Sequence, residues 1–534
     1  MKMIITTILV CMVFTNSMGQ TFTTQFSDKI QSQSGISKEG VFLKCLQGVN
    51  GNILALYVKE KTRGITFGSR TYTIIKIDKN LNVSKETELD KMKVENGALI
   101  DFIKLKNKYY FITQQYNLRA PADNGIVAQE LDPETLELKA SRNIARFDWS
   151  FDQIDVNFLM GASAGFDIDL IYARDSLMFG LVYYPTVKER QNKTVQYAVF
   201  DESLNKKVAG SYDFKIPERK IEVNGFQVDI DGNAYIAYDQ YDKNDEKSFK
   251  REDGEKVPSY KSHLLVIDKS GIKDRTIEHG GKFIKNIILG YDEKDNILLY
   301  GLYKNEFKGT YAGFCAVDLQ KFNNKEPITF TFNNFPQYLI SQVNVDDQGN
   351  DNGIGSAYSF REGITVSDGV KHLVLELISG SSDIRVFGNI IVITIKQNNS
   401  ISYARIPKFQ RIVNPPNKNV LKFSPVKYFV YSYECIFHNN NLLFFYNDSQ
   451  DNIAAELSKK PDMMSKPRSS SLSCATVSHD GKLVKREVIY SHKDMDDYLT
   501  NTSFFLVEPN VYALSLLKTG ILKYAVKFGK LSVN

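Results

Sequence analysis

The chain has 534 residues, 43% apolar and 24% charged, a composition that supplies a large globular core. With 33 Gly, 14 Pro and 5 Cys it is not collagenous, disordered or a disulfide-stapled miniprotein. A formal charge of +5, evenly spread, is too slight for nucleic acid as a partner.

The first element reads as an export signal. Lys2 supplies a positive start, Ile4 to Phe14 form an apolar stretch too short to span a bilayer, and small residues precede a cut between Gly19 and Gln20. This layout predicts a signal peptide over 1–19, a mature domain over 20–534, and a periplasmic or extracellular location. Cys11 raises a lipoprotein alternative. Val10, however, stands where a small residue is expected, and the apolar stretch runs on past it. No later run reaches 18 apolar residues, so no transmembrane segment is expected. Cys45, Cys315, Cys435 and Cys474 share no metal-ligand spacing and sit in strand-like apolar runs, as buried free thiols do.

Beyond the signal the dominant feature is a recurrence. Gly51–Tyr57 is followed by Tyr72–Asp78, a turn, and Leu81–Leu89; Tyr109–Ile112 is followed by Ile126–Asp132, a turn, and Leu136–Ile144. Leu177–Tyr183 with Tyr197–Asp201, Ala234–Tyr238 with Leu264–Asp268, and Ile297–Tyr300 with Phe314–Asp318 repeat the pattern. Looser copies follow at 373–395, 442–477 and 511–528. A further strand-like run opens each unit, as in Val41–Leu46, Ala98–Leu105, Phe283–Leu289 and Tyr428–Phe437. The Asp after the third strand suits a turn, because its carboxylate accepts from backbone N–H groups two residues on. Unit starts near 41, 98, 165, 222, 283, 360, 427 and 502, with no helical pattern between them, predict an all-β fold. The expected architecture is a single β-propeller of four-stranded antiparallel blades, about eight, with seven as the alternative count.

The chain ends bear on closure. The last unit stops at Asn534 before a fourth strand, while Thr21–Phe26 is strand-like with no partner in its own unit. Placing 21–26 as the missing outer strand closes the ring and hides an edge. The signal ending before Gln20, the Asp-marked turns, and Ile406-Pro407-Lys408-Phe409-Gln410 followed by Phe444-Phe445-Tyr446-Asn447-Asp448 resemble uncharacterised exported bacterial β-propeller proteins. The resemblance covers most of the chain and implies fold and location, with no catalytic residues to transfer.

Local motifs for chemistry are weak. Gly161-Ala162-Ser163-Ala164-Gly165 matches Gly-x-Ser-x-Gly, but a helix must follow that serine, and Phe166–Ile171 alternates as a strand. The six histidines make no His-Glu-x-x-His or His-x-His, and His492 with Asp494, Asp496 and Asp497 reads as a solvated polar turn. Asn344–Gly349 resembles a calcium loop whose twelfth position is Gly355, so no metal or cofactor is implied. The charged stretch Asp242–Lys261 reads as a mobile solvated loop.

Loop lengths carry more. The connections between second and third strands (59–70, 184–193, 241–261 and 448–470) are long, and the other hairpin turns are two to five residues. One face therefore becomes a platform for binding. The expected function is an exported noncatalytic module binding a protein or glycan of the cell envelope or exterior. Its candidate ligand-binding residues are Arg63, Arg70 and Arg190, with Tyr183 and Tyr184 presenting flat rings. The alternative is a glycan hydrolase or lyase drawing carboxylates from several blades around the central channel.

Overall fold

Ile53, Leu54, Ala55, Leu56 and Tyr57 are consecutive and all buried, although neighbouring side chains on a strand point to opposite faces. A sheet with such strands must be covered on both sides. Alternate residues do go opposite ways. Ile53, Ala55 and Tyr57 pack against 499–528, whereas Leu54 and Leu56 pack against 102–136. The computed structural model describes residues 20–27, 41–61, 69–89, 98–115, 125–146, 166–173, 177–185, 192–242, 248–292, 294–319, 327–347, 353–366, 368–380, 384–413, 432–457, 459–464, 467–501, 504–519 and 524–534.

The protein is all-β, with eight small antiparallel sheets arranged as an eight-bladed propeller. Seven blades are built from consecutive strands, blade 4 gaining a short parallel fifth strand, Ile328–Thr329, from the blade 5 segment; their first strands are Val41–Gln47, Ala98–Leu105, Phe166–Tyr172, Ile221–Val228, Phe283–Tyr291, Tyr358–Thr365 and Glu434–His438. These starts match the repeat read from the sequence, except that blade 7 is described as a strand only from Glu434. The eighth blade combines both chain ends. Phe22–Phe26 pairs antiparallel with Tyr524–Val533, running from Phe22 opposite Val533 to Phe26 opposite Gly529. Inward of it lie Val511–Thr519 and then the short strands Leu499–Thr500 and Phe505–Glu508. The expected closure by residues 21–26 is thus present.

Eight apolar clusters, one per blade junction, make the ring. The last of them joins Phe42 and Tyr57 of blade 1 to Phe528 of blade 8. First strands touch between blades 1 and 2, 3 and 4, 4 and 5, and 5 and 6, and so stand at the central channel. At several of these a β-bulge leaves one residue extra, including Leu43, Ile100, Asn224 and Arg361. Bulges re-aim a side chain and bend the strand, here at the channel wall.

The turns follow one recipe. In 78–82, 201–205, 229–233 and 292–296 the leading Asp accepts through Oδ1 from the backbone N–H groups two and four residues on, at 2.8–3.0 Å. The fourth residue is left-handed: Leu81 has φ +66°, Leu204 +61° and Asp295 +63°, and Gly232 takes the place at +83°. A non-glycine residue there costs ~1–2 kcal/mol. The leucines are nonetheless buried in blade junctions, and burying a leucine contributes ~1.5–3 kcal/mol, so burial wins.

Three expectations are corrected. Gln337–Asp347 is a helix, its Leu339, Ile340 and Val343 filling the junction of blades 5 and 6, so one inter-blade connection is helical and the faint calcium loop lies partly within it. Residues 249–258 form a two-stranded ribbon inside the expected solvated loop. His492 is fully buried, its ring nitrogens bonded to Ser470 Oγ at 2.8 Å and Thr500 Oγ1 at 3.3 Å. Cys45, Cys315 and Cys474 are buried free thiols, and Cys435 is half-buried and free. Gly161–Gly165 lies outside the described residues.

Candidate functional site

The two faces of the ring differ in construction. Toward the Asp-pinned turns, the inner strands are tied to one another. Lys44 Nζ meets Asp101 Oδ1 at 2.8 Å, and the Tyr172 hydroxyl donates to Asp101 Oδ2 at 3.2 Å. The Tyr291 hydroxyl donates to the Val228 carbonyl at 2.5 Å and lies 3.4 Å from that of Tyr172, while Thr365 Oγ1 donates to the Tyr291 carbonyl at 2.5 Å. This polar collar joins the inner strands of blades 1 to 6.

The opposite, long-loop end holds a cavity of about 550 Å³ where blades 3 and 4 meet at the channel. The start of the blade 3 inner strand contributes Ile168 and Asp169; Tyr184 and Lys193 flank its long loop; Ile221 to Gly225 open blade 4. The register shift between Val223 and Gly225 leaves Asn224 outside the ladder. Its Nδ2 donates to Asp239 Oδ2 at 2.8 Å. The buried Asp239 also accepts from the Ser262 hydroxyl, whose oxygen lies 2.9 Å from His279 Nε2. The Tyr241 hydroxyl donates to Glu222 Oε2 at 2.5 Å. Lys193 Nζ meets Glu218 Oε1 at 2.5 Å and stands 5.2 Å from the Tyr184 ring centre.

A second polar cluster occupies the long-loop end between blades 6 and 7. Lys408 Nζ and Glu376 Oε1 are 2.6 Å apart, both fully buried. Ser432 Oγ donates to Glu376 Oε2 at 2.6 Å, and Arg361 Nε lies 3.3 Å from the same oxygen. Burial lowers the Lys408 ammonium from its ordinary value, opposed by Glu376. Burial pushes Asp448 up to about 7, against hydrogen bonds from Asn452 Nδ2 and the Ser449 N–H. On the channel wall, burial raises Glu362, and burial plus the charge of Glu362 lifts Glu434 to about 8. Glu434 therefore holds a proton near neutral pH.

Of the residues expected from the sequence, Arg63 and Arg190 lie outside the described residues. Arg70 stands on the strand Ser69–Ile77 opposite Glu60. Tyr183 and Tyr184 are adjacent but only 3% and 6% exposed, in the clusters on the two sides of blade 3. Their rings are core rather than open platforms, because both faces of the strand are covered; Tyr183 donates to the Arg146 carbonyl at 3.1 Å, and Tyr184 touches the cavity. Lys193, at the end of the long connection 184–193, is 9% exposed. Asn224, Asp239, Glu362, Glu376 and Glu434 were not singled out. Asp239 and Glu376 carried a signal, since each is a carboxylate at the end of or within a continuous apolar run (Ala234–Tyr238 and Leu373–Ile378). Among the described residues no group of three or more His, Cys, Asp or Glu is placed to hold a metal, and no helix is long and apolar enough to cross a membrane.

No family model matches the chain, and no curated protein matches it. Among solved structures it is similar to prolyl oligopeptidase B from Galerina marginata, at 8% identity and a TM-score of 0.36, covering 90% of this chain and 55% of that one. The chain thus spans about half the length of that enzyme. The WD40 domain of SCAP from fission yeast aligns at 8% identity and a TM-score of 0.36, over 96% and 98% of the two chains. A protein of unknown function from Dyadobacter fermentans aligns at 9% identity and a TM-score of 0.30, over 69% and 96%.

Proposed function

We propose that the chain is an exported, noncatalytic binding module that meets a protein or glycan of the cell envelope or exterior on its long-loop face. The cavity at the mouth of the channel on that face is the observation that carries this reading. The opposite end is occupied by pinned turns and the collar, which favours approach from one side. Export rests on the residues from Lys2 to Gly19. The test uses protein secreted from a bacterial host, whose mature N-terminus is expected at Gln20. Met1 retained contradicts export, and lipid on Cys11 contradicts a soluble protein cut before Gln20. Combined Arg63→Glu, Arg70→Glu and Arg190→Glu is expected to abolish capture of envelope proteins or glycans. Lys79→Glu with Lys206→Glu, on the turn face, leaves capture intact; equal loss from both faces overturns the reading.

A glycan hydrolase or lyase is the second reading, favoured by one observation. Glu362 and Glu434 lie on adjacent inner strands at the channel, and one of them is protonated near neutrality, as a general acid requires. Release of sugar ends by the purified protein, lost on Glu434→Gln, would replace the binding reading.

A further inference from the structure

We infer that the channel wall at blade 6 carries a subsite for the carboxylate of an acidic glycan, gripped by Arg361. This rests on the binding reading above and names the ligand class and the residue that meets it.

Arg361 is the extra residue of a β-bulge, between Phe360 opposite Leu375 and Glu362 opposite Val374. Its strand, Tyr358–Thr365, touches the first strand of blade 5 and so stands at the channel. The flanking pairs face opposite ways. Phe360 and Leu375 pack into the junction with blade 5, whereas Val374 packs into the junction with blade 7. A bulge re-aims the side chain it carries. That of Arg361 is 43% exposed, and its Nε lies 3.3 Å from Glu376 Oε2. This is its one ion pair among the described residues, and it uses Nε, so both Nη groups keep their donors for a ligand. Such a planar fork grips a carboxylate through two parallel hydrogen bonds.

The fork is held from behind. Glu376 is fully buried, with Lys408 Nζ at 2.6 Å from one oxygen and the Ser432 hydroxyl donating to the other at 2.6 Å. Lys408 also donates to Gln410 Oε1 at 3.1 Å. A buried ion pair adds little stability by itself, and here it supplies a fixed seat for the arginine.

Charge names the ligand. Two cations, Lys408 and Arg361, face the one Glu376 carboxylate. Neighbouring acids do not make up the difference. Burial holds Glu362 above the ordinary carboxylate range, opposed by the Tyr433 hydroxyl and the charge of Arg361, and holds Asp448 at about 7. The cluster is therefore short of negative charge. Lys408 is sealed from solvent, so an anion can supply it only at Arg361. Glu362, which keeps its proton more readily than a surface acid, can both donate and accept beside the arginine. That suits sugar hydroxyls, whereas peptide docking draws on apolar anchors. The long connections of blades 1 and 3 carry Arg63 and Arg190 in the sequence, a charge of the sign that steers an acidic glycan inward.

The experiment titrates the full mature chain with trigalacturonate and trimannuronate, with the methyl ester of trigalacturonate as the neutral probe and triglutamate as the peptide probe. At least one acidic trisaccharide is expected to bind, and the ester to bind tenfold or more weaker than trigalacturonate. Arg361→Gln should lower acidic binding to the level of the ester with the melting temperature unchanged, because the Lys408–Glu376 pair remains. Arg361→Lys keeps the charge without the fork and should recover only part. Ser432→Ala, which loosens Glu376, should narrow the preference for trigalacturonate over its ester. Arg142→Gln, exposed on the outer strand of blade 2, should change nothing. Full binding by Arg361→Lys, an ester that binds as tightly as the acid, or no binding of either acidic trisaccharide overturns the inference. Triglutamate bound as tightly as the sugars overturns the glycan assignment. Acidic binding that survives Arg361→Gln but is lost with the three arginine reversals overturns the subsite and leaves the binding module standing.

Discussion

At the scale of single residues, the interior carries ionisable groups whose titration opposes itself. Glu434 is raised to about 8 and Asp448 to about 7, so the folded state binds their protons more tightly than the unfolded chain does. The stability this supplies is complete below the ordinary carboxylate range and is lost as pH rises through those values. Burial lowers His372 to about 4 and His492 to about 3. Their contribution is complete above the ordinary histidine value and is lost as pH falls toward the folded values. The melting temperature is therefore expected to peak at roughly pH 5 to 6.5 and fall on both sides. Glu434→Gln should flatten the alkaline decline and raise the melting temperature at pH 8. Calorimetry across pH 4 to 9 checks this, and a melting temperature that climbs steadily from pH 5 to 8 would contradict it. The buried Lys408–Glu376 pair belongs to a different argument. Desolvating both charges costs much of what their attraction returns, so it is better regarded as pinning blade 6 to blade 7 than as a store of stability. Lys408 and Asp448 fall within the two stretches on which the family resemblance rests.

At the scale of elements, the Asp-led turn repeats because it resolves a local problem. A short hairpin turn leaves backbone N–H groups outside the ladder, and one carboxylate satisfies two of them. Asp229 does more, accepting from Asp231 N–H, Asn233 N–H, Asn233 Nδ2 and the Tyr235 hydroxyl at 2.8–3.0 Å. Asp229→Ala should destabilise by about 1–3 kcal/mol, the cost of partly buried donors left without their acceptor. Asp231→Ala, two residues away and exposed, should change stability by less than ~0.5 kcal/mol. Chemical denaturation of both variants decides it; equal losses would show that the turn does not depend on its leading carboxylate.

For the whole molecule, the decisive feature is that the two chain ends share a blade. Five residue pairs join 22–26 to the last strand, extended by Thr21 N–H to the Asn534 carbonyl at 3.1 Å and Ser27 N–H to the Phe528 carbonyl at 2.8 Å. Phe22 packs edge-on against Phe445 and Phe26 against Tyr490, so the N-terminal strand also grips blade 7. Deleting 20–30 should lower the melting temperature by several degrees and promote aggregation through the bared edge of Tyr524–Val533. Light scattering and a thermal melt test it; an unchanged variant would mean that closure contributes nothing.

Blade number, blade starts and closing strand were legible because their determinants are local: period-two alternation, an aspartate at the turn, and an unpartnered strand at each end. The helix at 337–347, between blades, and the ribbon at 249–258, inside a blade 4 loop, were missed because segments so short carry too little periodicity. The candidate site was legible only in part. The long-loop face followed from loop lengths, but Tyr184, Lys193 and Ile221 line one cavity only when blades 3 and 4 stand side by side around the channel. Tyr183 and Tyr184 show the same limit from the other side. The alternation that places them on a strand does not say that both faces of that strand are covered. Sequence by itself determined the units and their order, because hydrogen bonding and side-chain alternation act over a few residues. Tertiary structure decided which side chains face the channel, because that depends on blades whose inner strands lie about fifty to eighty residues apart in the chain.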